Sequence, residues 1–178
     1  MKFGGSREKN GRNEEPTAGI GDSQSVKGTA ESAEESGFDG GKKVKGRKHH
    51  IVIDTTGCVL VATVHAANVH DSQGARPLFE RLFETVPTVQ WIWADQAYEG
   101  DLVEWMKTAF SCTLDIVYKT AKEFKVLPRR WVVERTFAWL SRYRRLAREY
   151  EKRPASSTAM IYAASIRIML KKMYPQAA

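Results

Sequence analysis

Three carboxylates stand where a carboxylate could do chemistry: Asp22, Asp95 and Glu134. Asp22 lies in the small-residue run AGIGDSQSVK. Asp95 closes WIWADQAY, where four apolar residues end in one acid followed by small and polar ones. Glu134 lies one turn into RRWVVERTF, beside core-like Val132, Val133, Phe137 and Leu140, with the small Ala138 at i+4. Taken singly, each has a plain structural reading: a turn cap for an aspartate, an ion pair with Arg130 or Arg135 for the glutamate. Separated by 73 and 39 residues, the three meet only if a sheet gathers their elements. Three convergent carboxylates form a hard-oxygen site for a divalent cation, and Mg2+ takes a few carboxylates plus waters and substrate phosphates. Two such ions stabilise both the attacking and the leaving oxygen of an in-line phosphoryl displacement.

The residues around the acids indicate the elements that must hold them. Residues 17–27 read as a short strand, and RKHHIVIDTTGCVLVATVHAANV reads as two more, about 47–54 and 58–66, joined at Thr56-Gly57. Residues 74–86 and 100–110 read as helices, the first with Asp71-Ser72 as its cap, and 90–95 and 112–119 as strands. A loop over 119–130 leads into one long helix, 131–151. After Pro154, a last helix capped by Ser156 or Ser157 runs through Lys172, apolar nearly all round and so expected to be buried. Three strands followed by α/β alternation give a mixed sheet with helices on its faces.

A chain of 178 residues has room for one domain. Residues 1–15 are polar and aperiodic and read as disordered, and 28–41 as a mobile Gly/Ser/Glu-rich loop. The net charge of +7 is concentrated: residues 119–178 carry net +11. With the dense run KKVKGRK at 42–48, this points to a polyanionic partner. Lys42, Lys43, Lys45, Arg47, Lys48, Arg129, Arg130, Arg135 and Arg142 are the expected phosphate contacts, the arginines because a guanidinium grips phosphate oxygens bidentately. Two cysteines make neither a zinc set nor a disulfide framework, and there is no run long enough to span a membrane and no secretory leader. A secreted scaffold, a membrane protein and a zinc finger are excluded, and a cytoplasmic location is expected. The tryptophans read as core rather than base-stacking platforms, except Trp131, for which both readings stand. His49 and His50 read as strand-edge filler, and Tyr98 as either a packing or a DNA-positioning residue.

In order along the chain, AGIGDSQSVK, DGGKKVKGRKHHIVIDT, HAANVHDSQGA, WIWADQAYEG, FKVLPRRWVVERTFAWLSRYRRLAREYE and SSTAMIYAASIRIML resemble the catalytic part of a bacterial insertion-sequence DDE transposase of the family-five branch. The resemblance covers about Pro16 to Met173. It implies an RNase H-like α/β fold, a mixed five-stranded sheet in the order β-β-β-α-β-α-β-α-α with helices on both faces, over residues 16–174. It places the family's acid triad on Asp22, Asp95 and Glu134, as catalytic residues and as ligands of two Mg2+ ions, with Mn2+ as a substitute. It implies metal-dependent cleavage and strand transfer at terminal inverted repeats, with double-stranded DNA at transposon ends and target as partner and a homodimer as the active assembly. Three places depart from the pattern: Gly21 replaces an apolar residue before the first acid, and Leu127 and Ser141 stand where a Tyr and a Lys or Arg are common. The family's N-terminal DNA-recognition region is also missing from the reading, which keeps open an inactive DNA-binding remnant or a second-frame product that needs an N-terminal partner. An RNase H-like nuclease acting on a different nucleic acid is the third reading.

Overall fold

The sheet is organised around β1, Ala18–Lys27, whose two edges take partners of opposite direction. In the computed structural model, which describes residues 7–8, 11–32, 34–118 and 130–174, β1 runs antiparallel to β3, Val44–Asp54, from Gly19↔Asp54 to Lys27↔Gly46. On its other edge it runs parallel to β5, Trp91–Asp95, which pairs in parallel with β6, Thr113–Val117. β3 also pairs antiparallel with β4, Val59–Ala66. The expected mixed sheet with its five strands is therefore present. A sixth, three-residue strand, β2 (Gly37–Asp39), lies within the segment expected to be a loop and pairs with the start of β3.

The β3–β4 turn is where the sequence places it. Gly57 takes a positive φ of 89°, and the Asp54 carboxylate accepts hydrogen bonds from the Thr56 and Cys58 amides at 2.9 and 2.8 Å. Positive φ costs glycine nothing sterically, and the aspartate supplies the acceptor the turn lacks. Of residues 1–15, 1–6 and 9–10 lie outside the described residues; Arg7 pairs with the buried Asp54, and its Nε donates to the Asn13 carbonyl at 2.7 Å.

Strand alternation sends two sets of side chains to two faces. Val52, Val61 and Ile92 pack under α1 (Asp71–Thr85) and α2 (Asp101–Phe110). Ile20, Ile51, Ile53 and Ala62 pack under α3 (Arg130–Leu140), α4 (Arg144–Ala147) and α5 (Pro154–Met173). With both faces covered, β3 is buried from Gly46 to Asp54.

Three helix readings are corrected. The cap of α1 is His70, whose side chain accepts from the Ser72 amide at 3.4 Å; Asp71 is the first helical residue. The single helix expected over 131–151 breaks after Leu140. Glu149 leaves the helix to bridge Gly28, its amide donating to the Lys27 carbonyl at 3.0 Å and its carbonyl accepting from the Thr29 amide at 3.1 Å. The free edge beyond β1 competes successfully with helix continuation. α5 starts at Pro154, a residue preorganised for the first helical position. It buries one stripe, including Ile161 and Ala164, and leaves Ile166 and Leu170 exposed, so it is not enclosed on all sides.

Candidate active site

The parallel register of β1 and β5 pairs Ile20 with Trp93, so two residues further on Asp22 comes level with Asp95. Both acids then project toward α3, the face shared with Ile20. The two carboxylates are held alike. Oδ1 of Asp22 accepts from the Ser23 amide at 2.8 Å, and Oδ1 of Asp95 accepts from the Ala97 amide at 3.0 Å, capping the short 3-10 turn Gln96–Tyr98. The two Oδ2 atoms converge on one nitrogen: Nη2 of Arg130 lies 3.9 Å from Asp22 and 3.7 Å from Asp95. The end of β5 is the carboxyl edge of a parallel pair, where α/β sheets bind ligands.

Electrostatics mark this point as unusual. Burial is the largest influence on Asp22 and pushes its carboxyl up to about 6, with Asp95 adding repulsion; the Ser23 amide, Arg130 and Lys42 oppose the rise. A desolvated carboxylate beside a like charge is the arrangement found at functional sites. Lys42 stands close by, its Nζ 3.5 Å from the Ser23 carbonyl.

Glu134 is placed differently. It is exposed on α3, one helical turn after Arg130 and therefore on the same stripe of that helix. Among the described residues no three acidic, histidine or cysteine side chains lie close enough together to hold a metal ion. The structure thus brings Asp22 and Asp95 together, and sets Glu134 on the helix that delivers Arg130 to them.

A buried polar layer supports the acids from the other side of the sheet. His50 lies directly across from Ser23 on β3, and its Nε2 shares a hydrogen bond with the hydroxyl of Tyr98, which is wholly buried. His50 Nδ1 is 3.4 Å from His65 Nε2. Burial and the neighbouring His65 hold His50 down at about 3, so it stays neutral. Burial, then the charges of Asp22, Asp71 and Asp95, push the Tyr98 phenol well up. The pair ties the turn after Asp95 to the strand beside Asp22. His50 reads from the sequence as strand-edge filler, although its alternation with the buried Val52 signals that it points inward.

The expected phosphate contacts divide. Lys42, Lys43 and Lys45 are exposed. Arg47 and Lys48 are corrections, because both are buried and committed. Arg47 is fully buried and donates to the carbonyls of Glu151 and Lys152 at 2.7 Å and to the Glu149 carboxylate at 3.3 Å. Lys48 is 2.6 Å from Asp71 and 2.8 Å from the Val69 carbonyl. Covering both faces of β3 turns these cations inward, where each needs a counter-charge. Arg129 lies outside the described residues. Arg130 is buried against the acids, while Arg142 is exposed. Arg135 is sandwiched between Trp131 and Trp139, its guanidinium carbon 4.4 and 4.5 Å from the ring centres. Trp131, 46% exposed, serves this stack rather than the core.

Residues 13–169 match the family of the transposase DDE domain. A Burkholderia cepacia protein described as a transposase for insertion sequence element IS402 is 31% identical over 120 residues, covering 61% of this chain and 55% of the relative. Among solved structures, a chain of the simian T-cell lymphotropic virus intasome in complex with PP2A regulatory subunit B56 gamma superposes with a TM-score of 0.58. That match is 15% identical and covers 92% of this chain and 57% of the other. The chain therefore spans little more than half the length of the proteins it matches, and the fold is the RNase H-like arrangement that the motifs implied.

Proposed function

The chain belongs to the transposase DDE domain family, and on that footing we propose that it carries out metal-dependent DNA cleavage and strand transfer at the terminal inverted repeats of an insertion sequence. The observation that carries the reading is the convergence of the Asp22 and Asp95 Oδ2 atoms on one cationic nitrogen. That nitrogen marks where a cation fits, and the donors are the hard oxygens Mg2+ or Mn2+ prefers. Glu134, exposed on α3 one turn after Arg130, would be the third ligand once α3 brings it to the pair. When bound, two such ions supply a nucleophile at neutral pH and stabilise charge on the attacking and leaving oxygens.

The chain's own groups do the rest. The Ser23 and Ala97 amides fix one oxygen of each carboxylate, so the other is aimed before substrate arrives. The Tyr98–His50 hydrogen bond locks the turn that follows Asp95. Arg130 balances the paired carboxylates and stands within reach of a phosphate oxygen entering beside them. Lys42, whose Nζ lies 3.5 Å from the Ser23 carbonyl, flanks the pair, and with the exposed Lys43 and Lys45 it would contact the backbone, which positions the duplex without reading its sequence. No residue here need become covalently attached to DNA. Two copies acting on paired ends, in the cytoplasm, complete the reading.

The test is cleavage of a labelled duplex carrying the element's terminal inverted repeat, with Mg2+ or Mn2+, by the chain and by its Asp95→Asn variant. Metal-dependent nicking that disappears in the variant supports the reading. Nicking of equal rate in both proteins excludes Asp95 from the chemistry and overturns it.

A further inference from the structure

A second basic feature lies away from the carboxylates, where the end of α3 and the short α4 meet the last turns of α5. A groove of about 580 Å3 opens there, lined by Arg142, Tyr143, Arg144, Arg167, Lys171 and Lys172 beside Trp139 and Ile168. No acid lines it. Arg142, Arg144, Arg167 and Lys171 are exposed, and among the described residues no carboxylate pairs with any of them. The neighbouring Arg145 shows the contrast, being paired with Glu151 at 2.5 Å. Four unpaired cations, one in the α3–α4 turn, one on α4 and two on α5, sum to a positive potential that attracts a polyanion. Three of the four are arginines, whose planar forks suit phosphate oxygens.

The groove is joined to the site by a continuous stack. Arg135 lies between Trp131 and Trp139, and the Lys172 ammonium covers the Trp139 ring at 4.6 Å. Arg135 and Lys172 both also reach the Thr56 carbonyl, at 3.4 and 3.3 Å. These contacts fix the end of α5 against α3 and the β3–β4 turn, so the groove has rigid walls. From Arg130 at the carboxylates to Trp139 at the groove is about 14 Å along α3, at 1.5 Å per residue. That is roughly four base pairs of duplex at 3.4 Å each.

We propose that this α3–α4–α5 groove binds the sugar–phosphate backbone of duplex DNA, about four base pairs from the phosphate that would enter beside Arg130 at the Asp22–Asp95 pair. The inference rests on the transposase reading above for the choice of DNA, and it assigns the α5 cations Arg167 and Lys171 a role in holding it. An acidic protein segment is the competing occupant of such a surface, and the experiment decides between the two.

The experiment is fluorescence anisotropy of a labelled terminal-repeat duplex across a salt series. It compares the full chain, Arg167→Gln/Lys171→Gln, Arg142→Gln/Arg144→Gln, and the control Arg81→Gln/Lys107→Gln, which removes equal charge from α1 and α2. All six positions are exposed, and two groove variants, one on α5 and one across the α3–α4 turn and the start of α4, guard against a local folding defect. Each groove pair should lower affinity by at least about tenfold and reduce the log–log salt slope by roughly 1.8, two contacts at 0.9 each. The control should change the slope far less. Groove variants that match the control overturn the proposal and leave the surface to a protein partner. Nicking by the unaltered chain, scored beside Asp95→Asn, reports on the transposase reading separately. Lost affinity in a chain that never nicks keeps the groove and sinks that reading; nicking with unchanged groove affinity does the reverse.

Discussion

Arg130 Nη2 lies 3.7 Å from Asp95 Oδ2, so the helix that carries Glu134 is anchored through its first residue to the end of β5. The same guanidinium lowers the Asp22 carboxyl, which burial nonetheless carries up to about 6. Arg130→Ala should therefore raise the Asp22 value further. The acid limb of the pH–nicking profile should move to higher pH, because metal binding requires the ionised carboxylate. A limb that stays in place would show that Arg130 does not act on Asp22.

Asp22 costs the fold stability. Its folded value of about 6 lies above the ordinary 3.8, so the folded chain holds this proton more tightly than the unfolded chain does. The cost is complete above pH 6 and fades as pH falls toward 4. Asp22→Asn should then stabilise the protein at neutral pH by on the order of 1–3 kcal/mol, raising Tm by several degrees. The gain should shrink near pH 4. Calorimetry at the two pH values checks both, and a variant that melts lower than the parent at neutral pH contradicts the assignment.

Glu149 behaves in the opposite sense. Burial would raise its carboxyl, but the His49 hydrogen bond and charge, the Ser157 hydroxyl at 2.7 Å and Arg47 outweigh it and hold it low. Its contribution is present above the ordinary glutamate value and is lost as pH falls through the folded one. Glu149→Gln leaves Arg47 buried without its counter-charge and should cost about 3–5 kcal/mol. Arg47→Met should lower Tm while leaving the salt slope of DNA binding unchanged, unlike Lys42→Gln/Lys43→Gln. A reduced slope in Arg47→Met would return Arg47 to the DNA-contacting set.

Gly21 offers a gain. A Cβ there would sit 3.7 Å from Ile92 and 3.8 Å from Phe79, ordinary contact distances. Gly21→Ala should stabilise β1 by about 0.5–1 kcal/mol by restricting the unfolded chain. Chemical denaturation reads this directly, and a lower midpoint would mean the Phe79–Ile92 wall cannot accept a methyl group.

Much of this was legible in the residues. Apolar runs of strand length placed β3, β4 and β5, and the acid ending WIWAD marked the ligand edge. The inward turn of Arg47 and Lys48 was not legible, because their partners Glu149 and Asp71 lie far along the chain or across a strand pair. A charged side chain reads as surface until its counter-charge is located. The break after Leu140 was equally hidden. SRYRR holds neither glycine nor proline, and only the edge beside Gly28, from a segment that itself read as loop, draws Glu149 out of the helix. The link from Asp95 to Arg130 depends on the meeting of β5 and α3, which no local pattern announces.

Mn2+ binding in the absence of DNA, followed by electron paramagnetic resonance, reports on the paired carboxylates themselves. The chain should bind Mn2+, and Asp22→Asn and Asp95→Asn should each weaken binding by at least about tenfold, since loss of even the outer partners of metal ligands costs that much. Glu134→Gln should weaken it as well. Mn2+ affinity undiminished in Asp95→Asn would place the metal elsewhere and contradict the site described above.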